Sequence, residues 1–287
     1  MSGLNNPLSV AKTIKLFING QFPRTESGRS FPLYIHGKEE IYANVCQASR
    51  KDCRNAVEAA KKAQSSWAHK TAYNRAQILY RMAEMMQSRY AEIQDLLELT
   101  LGLKTKDAQL AVQEAIDALV YFAGFADKYQ SLIGTINPVS GPHHNFTTPE
   151  AVGVVALLSE DNKFDFAQWT AQIAAIVCSG NTLVALVPQS ASAVIAPISE
   201  IFATSDLPSG VINLLSGFFK ELFPHFTTHM ELQAVSFQRS NNEELTQLQK
   251  ASCETMKRVI PKVKDVRSLE HLISFVEHKT VWHPSGF

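Results

Sequence analysis

From residue 150 to residue 217 the chain alternates short apolar runs with segments of helical period, and this stretch organises the rest. Residues 152–158, 182–187 and 211–215 are aliphatic and β-branched, without the polar alternation of a half-exposed strand. Between them, residues 166–178 and 193–204 space their apolar side chains at helical intervals. Ser179-Gly180-Asn181 and Leu207-Pro208-Ser209-Gly210 supply the turns. Strands that are apolar on both faces and separated by helices make a parallel sheet covered on two sides. The predicted fold class is α/β, a doubly wound Rossmann-like sheet, a form that often binds a nucleotide at its strand carboxyl ends.

Upstream, Asn19-Gly20 within LFINGQF predicts a two-residue hairpin, because both residues tolerate positive φ. Residues 31–36 and 41–47 read as short strands joined at Gly37. From Lys51 the period turns helical, and Asp52 is placed to cap a helix carrying Ala56, Ala60, Ala63 and Trp67 on one face. A longer helix is predicted over 73–101 with Gly102 as its stop, and another over 106–129. Beyond Gly217 the pattern gives a helix over 219–226, a strand over 234–237 and a helix over 243–259.

Composition narrows the function classes. The chain has 287 residues, 45% apolar and 19% charged, enough for a full globular core. Lys plus Arg equals Asp plus Glu at 27 each, so no net field favours nucleic acid or an anionic membrane. No apolar run is long enough to cross a bilayer, and the amino terminus lacks the apolar centre of a signal peptide. Cys46, Cys53, Cys178 and Cys253 are too few for a disulfide framework, which favours a cytoplasmic location.

The order of several stretches carries a more specific message. The hairpin followed by YNRAQILYRMAEMMQSR and VYFAGFADKY, the return GTINPVSGPHHNFTTPEAVGVV, the strand and turn AVSFQRSNNEE and the helix LTQLQKASCETMKRV follow one another. In this order they resemble the cofactor-binding part of the aldehyde dehydrogenase superfamily. The ending FVEHKTVWHP resembles that family's C-terminal oligomerisation strand, typically Tyr-Thr-x-x-Lys-Thr-Val. Where a full-length member continues into Glu-Leu-Gly-Gly-Lys and its catalytic domain, this chain reads IPKVKDVRSLEHLISF. The layout is most similar to the second, catalytic-domain-less module of the two-module members, family 16. The resemblance divides the chain into a flexible leader over 1–13 and N-terminal strands with a helical layer over 14–133. An oligomerisation hairpin follows over 134–150, then a Rossmann-like core over 151–260 and a C-terminal linker and oligomerisation strand over 261–287. Met1 and the strand-like ending favour a free-standing polypeptide, with one half of a longer chain as the alternative.

The resemblance also says what chemistry to look for. Aldehyde oxidation needs a thiolate nucleophile and a base for the deacylating water, and the region that carries both in the family is absent. Cys178 lies on an apolar helix as a small hydrophobe, and Cys253 has Lys250 and Lys257 nearby but no family role. No catalytic residue is expected. Asn162 falls where the family's Pro-Trp-Asn-Phe-Pro places its oxyanion donor, and it reads here as a vestige. The family's Lys-Pro-Ser-Glu, near the adenosine ribose, is replaced by Val187-Pro188-Gln189-Ser190. Arg239, followed by Ser240, replaces the Gly that lets pyrophosphate approach, although a guanidinium could instead pair with phosphate. Gln189, Ser190, Gly217, Arg239 and Ser240 are thus the positions of an eroded cofactor site, with NAD(P) binding weak or absent. No metal site is expected: His225 and His229 have only Glu221 nearby, and His143-His144 falls in a Pro/Gly-marked loop. The expected role is assembly, with copies of itself or with a full-length aldehyde dehydrogenase. The alternative is an NAD(P)-binding subunit of an active complex. The strand over 278–282 needs a neighbouring edge, either a sister chain's hairpin over 134–149 or a full-length partner's catalytic domain, which is favoured.

Overall fold

The central sheet is five parallel strands: β6 (Val154–Ser159), β7 (Thr182–Val187), β8 (Ile212–Ser216), β9 (Ala234–Gln238) and β10 (Arg258–Pro261). Their spatial order is β10-β9-β6-β7-β8. The computed structural model describes residues 12–161 and 163–285. Successive side chains of a strand point to opposite faces, and here each face has its own core. Val155 and Leu157 of β6 join one, and Val154, Ala156 and Leu158 join the other. The doubly wound α/β fold expected from the apolar runs is the fold observed.

Helices cover both faces. Against one lie α2 (Ala72–Ser88), α4 (Thr105–Phe125), α6 (Phe166–Cys178) and α7 (Ile195–Ala203). Against the other lie α1 (Arg50–Ala68), α8 (Phe219–Thr228) and α9 (Asn242–Thr255). Every position of α6 but Gln168 is buried, because α4 covers its outer side. A 3-10 turn over Gln189–Val194 leads into α7. Two short helices, α5 (Tyr129–Ile133) and α10 (Leu269–Ile273), complete the set with α3 (Tyr90–Leu101).

Two smaller sheets flank this core. Strands β1 (Lys12–Ile14), β2 (Ser30–Tyr34) and β3 (Ile41–Cys46) run in the order β1-β3-β2. Residues 1–11 of the expected leader lie outside the described residues. Asn19 and Gly20 have φ of 54° and 72° and turn the chain between Ile18 and Gln21, while Phe17 bridges to Leu214 of β8. The third sheet joins β4 (Thr135–Asn137), β5 (His143–Ala151) and β11 (Val276–Pro284) as β11-β5-β4, all antiparallel.

Several local expectations are corrected. Ser49, not Asp52, caps α1; Asp52 sits at the third helical position and bonds back to the Ser49 amide, closing a capping box. The helix expected over 73–101 is two, broken at Arg89, which carries no Gly or Pro to announce it. Arg89 pairs with Glu92 and with Glu200 of α7. The helix expected to reach residue 259 stops at Thr255, because Met256 turns left-handed at φ 52° and the chain enters β10. His143 and His144 begin β5 rather than lying in a loop. The C-terminal strand also meets its first partner within the chain: β11 pairs along its whole length with β5. Asn181 donates to the Phe275 carbonyl at 2.8 Å, and Arg258 to the Ser274 and Val276 carbonyls at 2.9 and 2.8 Å, fixing the entry to β11.

Candidate functional site at the carboxyl edge of the parallel sheet

Ser159, Gln238 and Pro261 end β6, β9 and β10 side by side. Strand order reverses at β6, with β7 and β8 on one side and β9 and β10 on the other. Ligands of doubly wound sheets bind in the crevice at such a reversal.

The part of this edge that spans the ends of β9, β6 and β7 is closed from within. Arg239 donates from Nε to Glu244 at 2.8 Å, and from Nη1 to the Ser159 carbonyl at 3.0 Å and to Asp161 at 3.3 Å. Its guanidinium carbon lies 3.7 Å from the Phe219 ring centroid, and its side chain is 13% exposed. Asp161 accepts from the Gln189 amide at 2.9 Å, and its own carbonyl accepts from Ser190 Oγ at 2.8 Å. Three candidate positions, Gln189, Ser190 and Arg239, therefore converge on Asp161. A phosphate reaching Arg239 has to displace two carboxylates.

Ser240 lies alongside, donating to Glu160 at 3.0 Å, where Lys262 also donates at 3.0 Å. Burial pushes the Glu160 carboxyl up, but the bonds from Lys262 and Ser240 and the nearby cations outweigh it and leave the pKa below its ordinary value. Gly217 stands apart. A Cβ there comes within 3.2 Å of Leu222 and 3.4 Å of the Ala48 amide, so its small size serves close packing at the end of β8. Asn162 lies outside the described residues.

The other half is open. A cavity of about 670 Å³ lies between the first turns of α6, the start of α9 and residues 261–264. Phe164, Trp169, Leu245 and Val263 form apolar walls, and buried Gln172 lies beneath. The Gln172 carbonyl oxygen accepts from Ser236 Oγ at 3.3 Å and from His271 Nε2 at 2.9 Å. Burial pushes the His271 pKa down to about 4, so the ring is neutral at pH 7. Trp169 Nε1 and Gln172 Nε2 are buried with no hydrogen-bond partner. No motif in the sequence pointed to these groups; the available signal was Gln172, one turn after Gln168 in a mostly apolar helix.

The thiols sit elsewhere. Cys46, Cys53 and Cys178 are buried, and burial pushes Cys53 and Cys178 up to about 12, so both stay protonated at neutral pH. Cys253 is exposed on α9 and donates to the Gln249 carbonyl at 3.3 Å. Among the described residues no cluster of His, Cys, Asp and Glu could hold a metal ion.

Residues 22–262 match the model of the Aldehyde dehydrogenase family. The chain belongs to the aldehyde dehydrogenase family. It is 30% identical over 226 residues to a mitochondrial benzaldehyde dehydrogenase of Antirrhinum majus, covering 78% of this chain and 42% of that protein. It is 28% identical over 247 residues to an omega-crystallin of Nototodarus sloanii, covering 85% of this chain and 49% of the other. Among solved structures, the NAD+ complex of an aldehyde dehydrogenase from Bacillus cereus superposes with a TM-score of 0.80 at 27% identity. That match covers 87% of this chain and 50% of the other. This aldehyde dehydrogenase family chain thus spans about half the length of the relatives it matches.

Proposed function

We propose that this chain is a non-catalytic member of the aldehyde dehydrogenase family that works by assembly, with a full-length member of the family or with copies of itself. The observation that carries this reading is β11. Its inner edge is taken by β5, and its outer edge has no strand partner among the described residues along nine residues of extended backbone. Lys279 and Trp282 on this strand are exposed. Such an edge is a template for β-augmentation by another subunit. Because β5 already fills the hairpin side, a sister hairpin is no longer the natural partner, and the free edge is left for a different strand.

Inactivity is supported by the thiols, three buried and one on α9, and by the course of the chain from β10 through α10 straight into β11. This layout is most like the catalytic-domain-less second module of the family 16 members. Weak or absent NAD(P) binding is supported by the closure around Arg239 and Asp161. A cytoplasmic location goes with the reading; among the described residues no helix is long and apolar enough to cross a membrane.

The decisive experiment removes residues 277–287 and measures mass by light scattering, alone and with a full-length aldehyde dehydrogenase. Loss of the higher-mass species is expected, and unchanged assembly in both settings sinks the reading. NAD(P)-dependent aldehyde turnover by the pure chain, abolished by Cys253→Ala, overturns the inactivity. Tight NAD or NADP binding by calorimetry favours the NAD(P)-binding subunit of an active complex instead.

A further inference from the structure

The third sheet brings together two histidines that lie far apart in the sequence. We propose that His144 and His283 form a two-imidazole chelate for a divalent cation of the zinc, nickel and copper class. His144 lies on β5 and His283 on β11, and the two are direct register partners in the antiparallel pairing. Partners of this kind project from the same face of a sheet. The pair exists only because His144 begins a strand instead of lying in a loop.

The register also sets the spacing. The Ser285 amide donates to the Pro142 carbonyl at 2.9 Å, and the Val152 amide to the Phe275 carbonyl at 3.4 Å, one bond at each end of the ladder. Hydrogen-bonded and non-hydrogen-bonded pairs alternate along an antiparallel ladder. Two residues in from Pro142 and Ser285, His144 and His283 are therefore a hydrogen-bonded pair, with Cα atoms about 5.5 Å apart. Zinc–nitrogen bonds of about 2 Å place two ligating nitrogens about 3 Å from each other. Imidazoles projecting from one face at this Cα separation reach that spacing by side-chain rotation alone.

Both side chains are exposed. Among the described residues, the imidazoles that hydrogen-bond to protein are those of His69, His229 and His271, so the ring nitrogens of His144 and His283 are free to ligate. Phe146, the next residue on the same face, has its ring centroid 5.4 Å from that of His144 and limits the rotamer freedom that chelation removes. Charge does not oppose a dication there. Lys279 is paired with Glu150 at 2.9 Å, and Glu277 with Arg258 at 2.7 Å.

Groups of three or more His, Cys, Asp or Glu ligands are absent among the described residues, so water or an added ligand fills the remaining coordination positions. Imidazole suits zinc, nickel and copper, whereas magnesium and calcium take oxygen ligands. His225 and His229, four residues apart, make no equivalent pair: His229 is extended just beyond α8, and its Nδ1 accepts from the Glu231 amide. The chelate lies on a face of the sheet and not at the outer edge of β11, so its test does not depend on the assembly reading.

The test titrates the tag-free full chain by calorimetry with ZnCl2, NiCl2 and MgCl2 at neutral pH. Saturable one-site binding of Zn2+ or Ni2+ is expected, with none of Mg2+. His144→Gln and His283→Gln should each weaken the better ion about tenfold or more, because two groups on one frame bind far more tightly than either alone. His143→Gln and His278→Gln change exposed histidines on the opposite face of the same two strands and should leave the affinity unchanged, as should Cys253→Ser. All five positions are exposed, so the metal-free Tm of each variant should match that of the native chain. The proposal is overturned if neither Zn2+ nor Ni2+ saturates, if Mg2+ binds as well, or if either His144→Gln or His283→Gln keeps the native affinity. A loss of similar size in His143→Gln, His278→Gln or Cys253→Ser overturns it too.

Discussion

Across the ends of β9, β6 and β7, Arg239, Asp161 and Glu244 satisfy one another; beneath the cavity bordered by α6 and residues 261–264, Trp169 and Gln172 keep buried N–H groups without an acceptor. Both halves belong to one sheet and share the β6–β9 boundary, yet one carries its counter-charges on its own chain and the other does not. A partly buried charge costs free energy until it is paired, so the introduction of Arg239 fits with carboxylates at positions 161 and 244. That pairing ties the loop after β6 to the turn after β7 through Gln189 and Ser190. The open half has no such internal solution: Trp169 Nε1, Gln172 Nε2 and His271 Nδ1 are buried there without hydrogen-bond partners.

This contrast can be broken most forcefully at Arg239. Arg239→Ala leaves Asp161 and Glu244 facing each other without their cation, and should lower the unfolding free energy by about 2–3 kcal/mol in denaturant titration. Partial exposure of Asp161 (36%) and Glu244 (20%) keeps the loss below that of a fully buried pair. A loss of a few tenths would mean that the closed half is not held by this network.

The next effect tests the open half through pH. The His271 pKa of about 4 in the folded chain lies below its ordinary 6.5, so the unfolded chain takes up the proton first. Its contribution is fully present above pH 6.5 and is lost as the pH falls toward 4, on the order of 1–3 kcal/mol. Urea midpoints measured from pH 7 to 4.5 should fall more steeply for the native chain than for His271→Gln. Equal slopes would show that the ring is not buried and neutral beneath the cavity.

Asp161→Asn retains an oxygen for the Gln189 amide but removes the charge facing Arg239. Because Glu244 remains and Asp161 is partly exposed, the expected loss is about 0.5–1 kcal/mol. A loss as large as that of Arg239→Ala would make Asp161, not Glu244, the main counter-ion. The smallest effect is expected away from the edge: Lys279→Ala breaks an exposed pair with Glu150 across β11 and β5 and should change stability by less than about 0.5 kcal/mol. A larger loss would place tertiary strength in the third sheet that its exposed pairs do not suggest.

Much of the closed half was legible before any coordinates. The replacement of Gly by Arg239 and the loss of charged residues at Val187 and Ser190 announced an altered pocket, because each changes the charge or space at a strand end. Their convergence on Asp161 was not legible, since positions 161, 189 and 239 meet only when β6, β7 and β9 are laid side by side. The open half escaped altogether. Gln172, Ser236 and His271 are far apart in sequence, and each looks ordinary in its own element. The break at Arg89 and the short strand β10 were missed for a related reason. Local periodicity carried on through both, whereas packing of α3 on α4 and pairing of β10 with β9 decided the backbone.

The sequence by itself determined the doubly wound sheet, since runs apolar on both faces have no other way to be buried. It also determined the turn at Asn19-Gly20, the left-handed stop at Gly102 and the membership that the ordered motifs announced. Only the tertiary structure decided that β11 lies on β5 of its own chain, that Ser49 rather than Asp52 begins α1, and that one half of the carboxyl edge is closed while the other is open. Apolar patterning is a property of near neighbours in the chain and survives translation into sequence. Pairing of charges, strand edges and buried donors depends on groups tens to more than a hundred residues apart, whose meeting only the folded chain specifies.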